Sequence, residues 1–413
     1  MSMRKEIKFN NGHLKVLQIS DLQDNRFTCV DTLRFMESAV ESIKPDLIVF
    51  TGDQLDVADF WGKGEKCRRN VEKAINQLFS VFEKFDIPFV LTFGNHDRQT
   101  GLTNEEQAKI YARLKNCICF DGFNDGRPDA GTFNVPVLSS DGSRTAMNIY
   151  VVDTGTKIKG KYQGVRKEQL EWLEKTSREV NVDSIVFQHI PVDEIYELLE
   201  KVPKGTKGAH PAYGTRKGEF YKLRDGIKHK GDYGETPAAL PLECGEFEQL
   251  KKQGDVFAVY CGHDHFDSFI GTVDGIDLGY CPGAGYNSYG NIQRGVRVFE
   301  FDENDVRNYK TYTVKYGDVC KKPLAELVKT FIYSVGPSSP GDVPVFAAKC
   351  AVGLAVIVLL LVLLAKLISV RAVVTALLVV FGIAAVYFIG ALIYNVVTRK
   401  KLINRFKSEK GMI

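Results

Sequence analysis

The sequence predicts an α/β domain followed by two membrane-spanning helices. Short β-rich apolar runs alternate with patterns of helical period, and five of those runs stop at residues able to hold a metal. Two long apolar runs then close the chain.

Leu14 to Ser20 reads as the first long strand, and it empties into Asp21-Leu22-Gln23. Asp31 can cap a helix with Leu33, Met36, Val40 and Ile43 on one face, and Pro45 ends it. The next strand, Leu47 to Thr51, runs into Gly52-Asp53. Strands joined through a helix pair in parallel, so Asp21 and Asp53 should share one sheet edge. A helix through Val71, Ile75, Leu78 and Phe82 leads to Pro88 to Phe93, which stops at Gly94-Asn95-His96-Asp97. Thr103 and Glu106 have the spacing of a capping box for a helix carrying Ile110, Tyr111 and Leu114.

From there the texture becomes more β-like. Asp121-Gly122, Asp125-Gly126 and Asp141-Gly142 are turn signals, and Met147 to Val152 is a buried strand ending at Asp153. A helix from Glu168 to Glu179, with Leu170 and Leu173 inward, precedes the strand Ser184 to Gln188 and then His189. Residues 201–254 are irregular and rich in Gly, Lys and Tyr, with two isolated histidines, His210 and His229. A segment of that length often serves as a lid or specificity loop. Val256 to Cys261 ends in Gly262-His263-Asp264-His265, and the β-rich stretch from Phe266 to Val314 should complete a second sheet.

The residues just past each strand carry the chemistry. Asparagine offers a hard cation a neutral oxygen, histidine can donate a proton or bond a developing negative charge, and a neighbouring carboxylate can orient the ring. A single Gly-Asn-His-Asp is equally at home in a plain turn, because those residues satisfy turn geometry. Five strand ends with the same residue types argue for a shared task.

Composition narrows the field. A chain of 413 residues can bury a large core, and a net charge of +3 gives no argument for a nucleic-acid partner. Nine cysteines without paired zinc-ligand spacing fit a reducing compartment, with Cys117 and Cys119 read as small buried hydrophobes. Met1 to Lys15 lacks the apolar core of a signal peptide, which points to a cytosolic start.

Residues 331–344 contain Val-Gly-Pro-Ser-Ser-Pro-Gly-Asp-Val-Pro and read as a linker. Beyond it, Ala351 to Ala365 and Ala372 to Val397 are apolar runs, the first extended back to about Val345 if Lys349 and Lys366 snorkel. Together 345–398 form a helical hairpin long enough for a hydrocarbon core of about 30 Å. The tail 399–413, with Arg399, Lys400, Lys401, Arg405, Lys407 and Lys410, outweighs Lys366 and Arg371 in the short loop. The positive-inside rule then places both termini, and the domain before the hairpin, on the cytoplasmic side.

Asp21-x-Gln23, Gly52-Asp53, Gly94-Asn95-His96-Asp97, His189 and Gly262-His263-Asp264-His265 resemble, in order and placement, the signature of calcineurin-like metallophosphoesterases. The resemblance spans about Lys15 to Val314, within a domain of residues 1–330. Gly279-Tyr280-Cys281-Pro282-Gly283-Ala284-Gly285-Tyr286 is similar to the purple-acid-phosphatase-like branch of fungi and plants. The family implies a sandwich of two mixed β-sheets flanked by helices, and two divalent metal ions (Mn, Fe, Zn or Mg). It assigns Asp21 and His265 to the first ion, Asn95, His189 and His263 to the second, and Asp53 to both. It further implies a hydroxide generated between the ions, with His96 stabilising or protonating the leaving oxygen and Asp97 orienting His96.

Gln23 departs from the usual Asp-x-His and stands where the second ligand of that motif would be. A glutamine oxygen suits Mg²⁺ or Mn²⁺ better than Zn²⁺. Asp24 and Asp56 are candidate replacement carboxylates, against the plainer reading of solvated loop acids. Tyr286, Asn287 and Tyr289 lie where the family places residues near substrate, although an aromatic cluster can also be packing. Arg98 is open to phosphate binding or to a salt bridge. The function expected is hydrolysis of a phosphomonoester or phosphodiester beside a lipid bilayer. The alternative is a non-catalytic membrane scaffold that senses metal or phosphate.

Overall fold

The structure, a computed structural model, describes residues 6–56, 61–120, 126–158, 161–227, 231–292, 294–336 and 343–409. The turn signals at 121–122 and at Asp125, along with His229 and Lys410, lie outside those residues.

Two mixed sheets face each other. Five strands lie in the spatial order Asp305–Lys315, Gly295–Asp302, His13–Ile19, Leu47–Thr51 and Phe89–Thr92. The last three are parallel, each pair bridged by helices, as the strand and helix patterns require. The second sheet has seven strands, in the order Ile7–Lys8, Phe133–Leu138, Thr145–Val152, Ser184–Gln188, Val256–Cys261, Ile276–Tyr280 and Ile270–Val273. Its central strands are parallel too. The sheets meet through buried side chains: Phe187 packs edge-on against Phe299, and Gln18 Nε2 donates to Cys261 O at 3.2 Å.

Several expectations change. The stretch from Phe266 to Val314 does not build one sheet; its first two strands extend the seven-stranded sheet and its last two the other. The helix expected through Phe82 breaks at Phe79 into Gly64–Leu78 and Ser80–Glu83. The break lets the Phe79 ring sit between Phe50 and Phe89, with centroids 4.9 and 5.3 Å away. Asp31 does not cap the Val30–Ile43 helix; Cys29 holds that position, and the Asp31 carboxylate is taken by the N–H groups of Ala325 and Glu326. Thr103 and Glu106 do form the capping box.

The 201–254 segment is more ordered than its composition suggests. Leu199–Val202, Phe220–Leu223 and His210–Pro211 pair into a small antiparallel sheet, and Glu246–Gln253 is a helix. All nine cysteines are free thiols.

At the C-terminal end, a helix Leu327–Val335 occupies the start of the expected linker, and 337–342 lies outside the described residues. The helices containing Pro344–Leu367 and Val370–Ser408 are long and apolar enough to cross a membrane, and their apolar windows are not buried by the protein. The second runs unbroken into the basic tail, as far as Ser408. Leu402, Ile403 and Phe406 are buried in the main core, while Arg405 Nη2 meets Glu37 Oε2 at 2.5 Å and Lys84 Nζ lies 3.5 Å from Glu409. The charge run hides an apolar stripe at i, i+1 and i+4, so the tail docks instead of dangling.

Candidate metal centre

The C-terminal ends of five strands, three from one sheet and two from the other, converge on one polar pocket. The shared edge expected from sequence is therefore a junction between two sheets. Each strand ends abruptly: Asp21, Asp53 and His263 adopt left-handed φ values of 53°, 51° and 74°. Such conformations cost non-glycine residues about 1–3 kcal/mol each. They turn the side chains back over the strand ends. The glycines of the motifs allow close approach: a Cβ on Gly94 would overlap the Asp53 carboxylate, and one on Gly262 would overlap Ser20 and Asp21.

Asp53 is the hub. Its Oδ2 lies 3.2 Å from His189 Nε2 and 3.8 Å from His96 Nε2, and its Oδ1 accepts from His96 N at 2.7 Å. His189 Nε2 lies 3.3 Å from His263 Nδ1. One ligand atom each from Asp53, His189 and His263 falls within 4.8 Å of the others, a spacing that suits a single cation. Beside this group, His265 Nε2 lies 3.3 Å from Asp21 Oδ1, while Asp21 Oδ2 accepts from Ser20 Oγ at 2.6 Å and His263 N at 2.9 Å.

The rings are held from behind. His189 Nδ1 faces Thr51 O at 2.9 Å and His265 Nδ1 faces Tyr289 O at 2.9 Å, which leaves both Nε2 atoms turned to the carboxylates. Tyr162 Oη meets His263 Nε2 at 2.6 Å and leaves Nδ1 for the pocket. Tyr289 also stacks flat on His265, with centroids 4.0 Å apart.

The electrostatics call for positive charge. Burial alone would raise Asp53, but His189 and His96 outweigh it and hold its carboxyl far below the usual range. Burial pushes His189 down, yet the Asp53 carboxylate lifts it to about 10. His263 is driven well below its ordinary value by burial and by the charge on His189. The buried Asn95 Oδ1 makes no hydrogen bond among the described residues. Free lone pairs, carboxylates and imidazoles, with the positive charge on His189 standing where a cation would, together fit hard or borderline divalent cations.

Residues 14–267 match the family described as calcineurin-like phosphoesterase. The chain belongs to that family. It is 29% identical over 349 residues to the Arabidopsis thaliana protein named "Probable inactive purple acid phosphatase 14", covering 72% of this chain and 77% of that one. It is 24% identical over 339 residues to "Phosphatase DCR2" of Saccharomyces cerevisiae, covering 73% and 54%. Among solved structures, a dimetal phosphatase from Danio rerio superposes with a TM-score of 0.45 at 13% identity, over 73% of this chain and 99% of that one. Members of the family use a dinuclear metal centre.

In this phosphoesterase domain Asp21, Asp53, His189, His263 and His265 are brought together, with Asn95 and His96 on the loop that wraps Asp53. Gln23 is present as well, but its amide nitrogen donates to Asp53 Oδ2 at 3.1 Å, so the atom turned to the pocket is a donor. Asp97 does not orient His96. Its carboxylate accepts from the N–H groups of Asp53, Gly94 and Leu55 at 2.9, 2.8 and 3.0 Å, tying two ligand loops together. Burial and the nearby Asp53 raise it to about 8.

Neither proposed replacement carboxylate serves the pocket. Asp24 accepts from Asn25 N and Cys29 N at the start of a helix. Asp56 Oδ2 accepts from Asn287 Nδ2 at 3.4 Å. Asn287 Nδ2 also reaches Gln23 O, whereas Tyr286 is fully buried and packs against Tyr316. Arg98 pairs with Asp153 at 3.4 Å, and His210 packs on Tyr233 in the small sheet.

Sequence reasoning missed Tyr162 and Glu235. Glu235 is buried, accepts from Phe266 N at 3.0 Å and lies 3.4 Å from Tyr289 Oη. Tyr162 ends a two-residue strand, Lys161–Tyr162, and Glu235 sits in an irregular segment, with no local motif at either. The one available signal is indirect: a long structured insertion beside a ligand motif supplies walls to the site.

Proposed function

We propose that the chain is a membrane-anchored phosphoesterase dependent on two divalent cations. The observation that carries this reading is the meeting of Asp53, His189 and His263 ligand atoms within 4.8 Å, beside the unpartnered Asn95 oxygen and a half-exposed His96. Asp53, Asn95, His189 and His263 would hold one cation, and Asp21, Asp53 and His265 the other. Two cations supply Lewis acidity to phosphoryl oxygens and lower the pKa of an attacking water.

The chain's own residues do the rest. Thr51, Tyr289 and Tyr162 fix the three imidazoles, Asp97 locks the loops, and His96 faces the pocket with its Nδ1 free of protein partners among the described residues. His96 is placed to hold or donate a proton at the leaving oxygen. Phosphomonoesters are the favoured substrates, with diesters second. In this reading the two apolar helices anchor the enzyme, and the positive-inside rule applied to the basic tail supports a cytoplasmic catalytic domain.

Purified protein supplied with Mn²⁺ is expected to hydrolyse p-nitrophenyl phosphate or bis-p-nitrophenyl phosphate, with elemental analysis giving two metals per chain. A reporter fused to the C-terminus is expected to report the cytoplasm, and an external signal would overturn the topology. A second reading has its own support: a relative named as inactive and a glutamine in place of the usual histidine. In that case the domain binds metal or a phosphorylated partner without turnover. His96→Ala separates the two, since it should abolish turnover in a catalyst and leave phosphate affinity unchanged in a binding module.

A further inference from the structure

The Leu327–Val335 helix is lopsided. Thr330 is buried and Lys329 reaches inward to Asn287, while Leu327, Phe331, Ile332 and Val335 are between 48% and 62% exposed. At 100° per residue those four fall on a single face.

Its position suggests what covers that face. Only six residues separate Gly336 from Val343, where the first apolar helix begins, and that link reaches at most about 25 Å. Just before the helix, Lys322 to Ala325 line a groove of about 640 Å³ together with Tyr387, Gly390 and Tyr394 of the second apolar helix. Tyrosines at this level are characteristic of a membrane interface. Nearby, the half-exposed Phe27 lies under the guanidinium groups of Arg26 and Arg399, at 4.8 and 5.7 Å. Arg26, Lys321, Lys322 and Arg399 make this border basic, complementary to anionic headgroups.

We propose that the apolar face of the Leu327–Val335 helix, with Phe27 beside it, lies in the headgroup layer of an anionic bilayer as a second membrane contact. The inference rests on the reading of the two long helices as an anchor, and adds that the catalytic domain is seated on the lipid instead of swinging from it. A chain of hydrogen bonds joins the seat to the metal edge. Lys329 meets Asn287 Oδ1, Asn287 Nδ2 donates to Gln23 O, and Gln23 Nε2 donates to Asp53 Oδ2.

The test uses the full chain in vesicles of phosphatidylcholine and phosphatidylserine whose acyl chains carry bromine either near the headgroup or near the bilayer centre. Tryptophan is introduced singly by Phe331→Trp, Leu360→Trp or Glu168→Trp, and the signal of the two native tryptophans is subtracted. Phe331→Trp should be quenched several-fold more than the remote Glu168→Trp, and most strongly by shallow bromines. Leu360→Trp should respond to deep ones. If Phe331→Trp behaves like Glu168→Trp, the proposal is overturned: the face then stands in water or awaits a second copy or another protein. Leu360→Trp tells the two failures apart, because its own lack of quenching would remove the anchor as well.

Discussion

Two buried acid clusters flank the loop after the first long strand, and they have opposite fates. At the metal edge, Asp21 and Asp53 keep oxygen atoms turned to imidazoles, and Asn95 Oδ1 is left without a protein donor among the described residues. At the junction of the Val30–Ile43 and Leu327–Val335 helices, Cys29, Asp31 and Glu326 also bring ligand-type atoms within 4.8 Å of one another. There the lone pairs are consumed. Asp31 accepts from two backbone N–H groups, and the Cys29 thiol donates to Glu326. Burial and Glu326 raise Cys29 well above its ordinary value, so it stays a thiol and is no soft ligand. Proximity of acids is therefore a poor guide to a metal site. What distinguishes one is unsatisfied acceptors beside imidazoles.

Three substitutions probe that contrast, from the largest effect to the smallest. Asp53→Asn removes the hub, and turnover should fall to background with loss of bound metal by elemental analysis. That exceeds the roughly 10- to 100-fold cost of losing an outer partner. His96→Ala should lower kcat by about 10²–10⁴ while metal content holds. Asp31→Ala strands the N–H groups of Ala325 and Glu326, so chemical denaturation should show a loss of about 1–3 kcal/mol with metal content unchanged. Loss of metal in that variant would erase the distinction between the clusters.

Glu246 supplies a third case, a buried carboxyl whose hydrogen-bond contact among the described residues is Gln188 Nε2, at 3.4 Å. Burial raises it to about 8 from the ordinary 4.5. The folded state then keeps a proton that the unfolded chain releases between those values. Stability should fall as pH rises from about 4.5 through about 8. Glu246→Gln should flatten that fall in melts taken across the window, and an unchanged slope would show that the group is ionised in the fold.

Much of the site was legible from residue order, because a strand that stops at Gly-Asp or Gly-Asn-His-Asp is a local event. Asp97 was legible as a member of the motif but not in its role: its partners Asp53 N and Leu55 N lie more than forty residues earlier in the chain. Tyr162 and Glu235 were invisible, since one reaches the site from a two-residue strand and the other from an irregular segment, neither carrying a motif. The docking of Leu402, Ile403 and Phe406 was masked by the lysines and arginines around them.

The sequence by itself determined the strand ends, the residue types offered there, and two apolar helices at the end of the chain. Those depend on local periodicity, turn propensity and length, which need no distant partner. Only the tertiary structure decided that the strand ends belong to two sheets, which carboxylates keep free lone pairs, and that the basic tail packs on the core. The reason is physical: a carboxylate's fate depends on which donors reach it, and those donors come from elements far away in the chain.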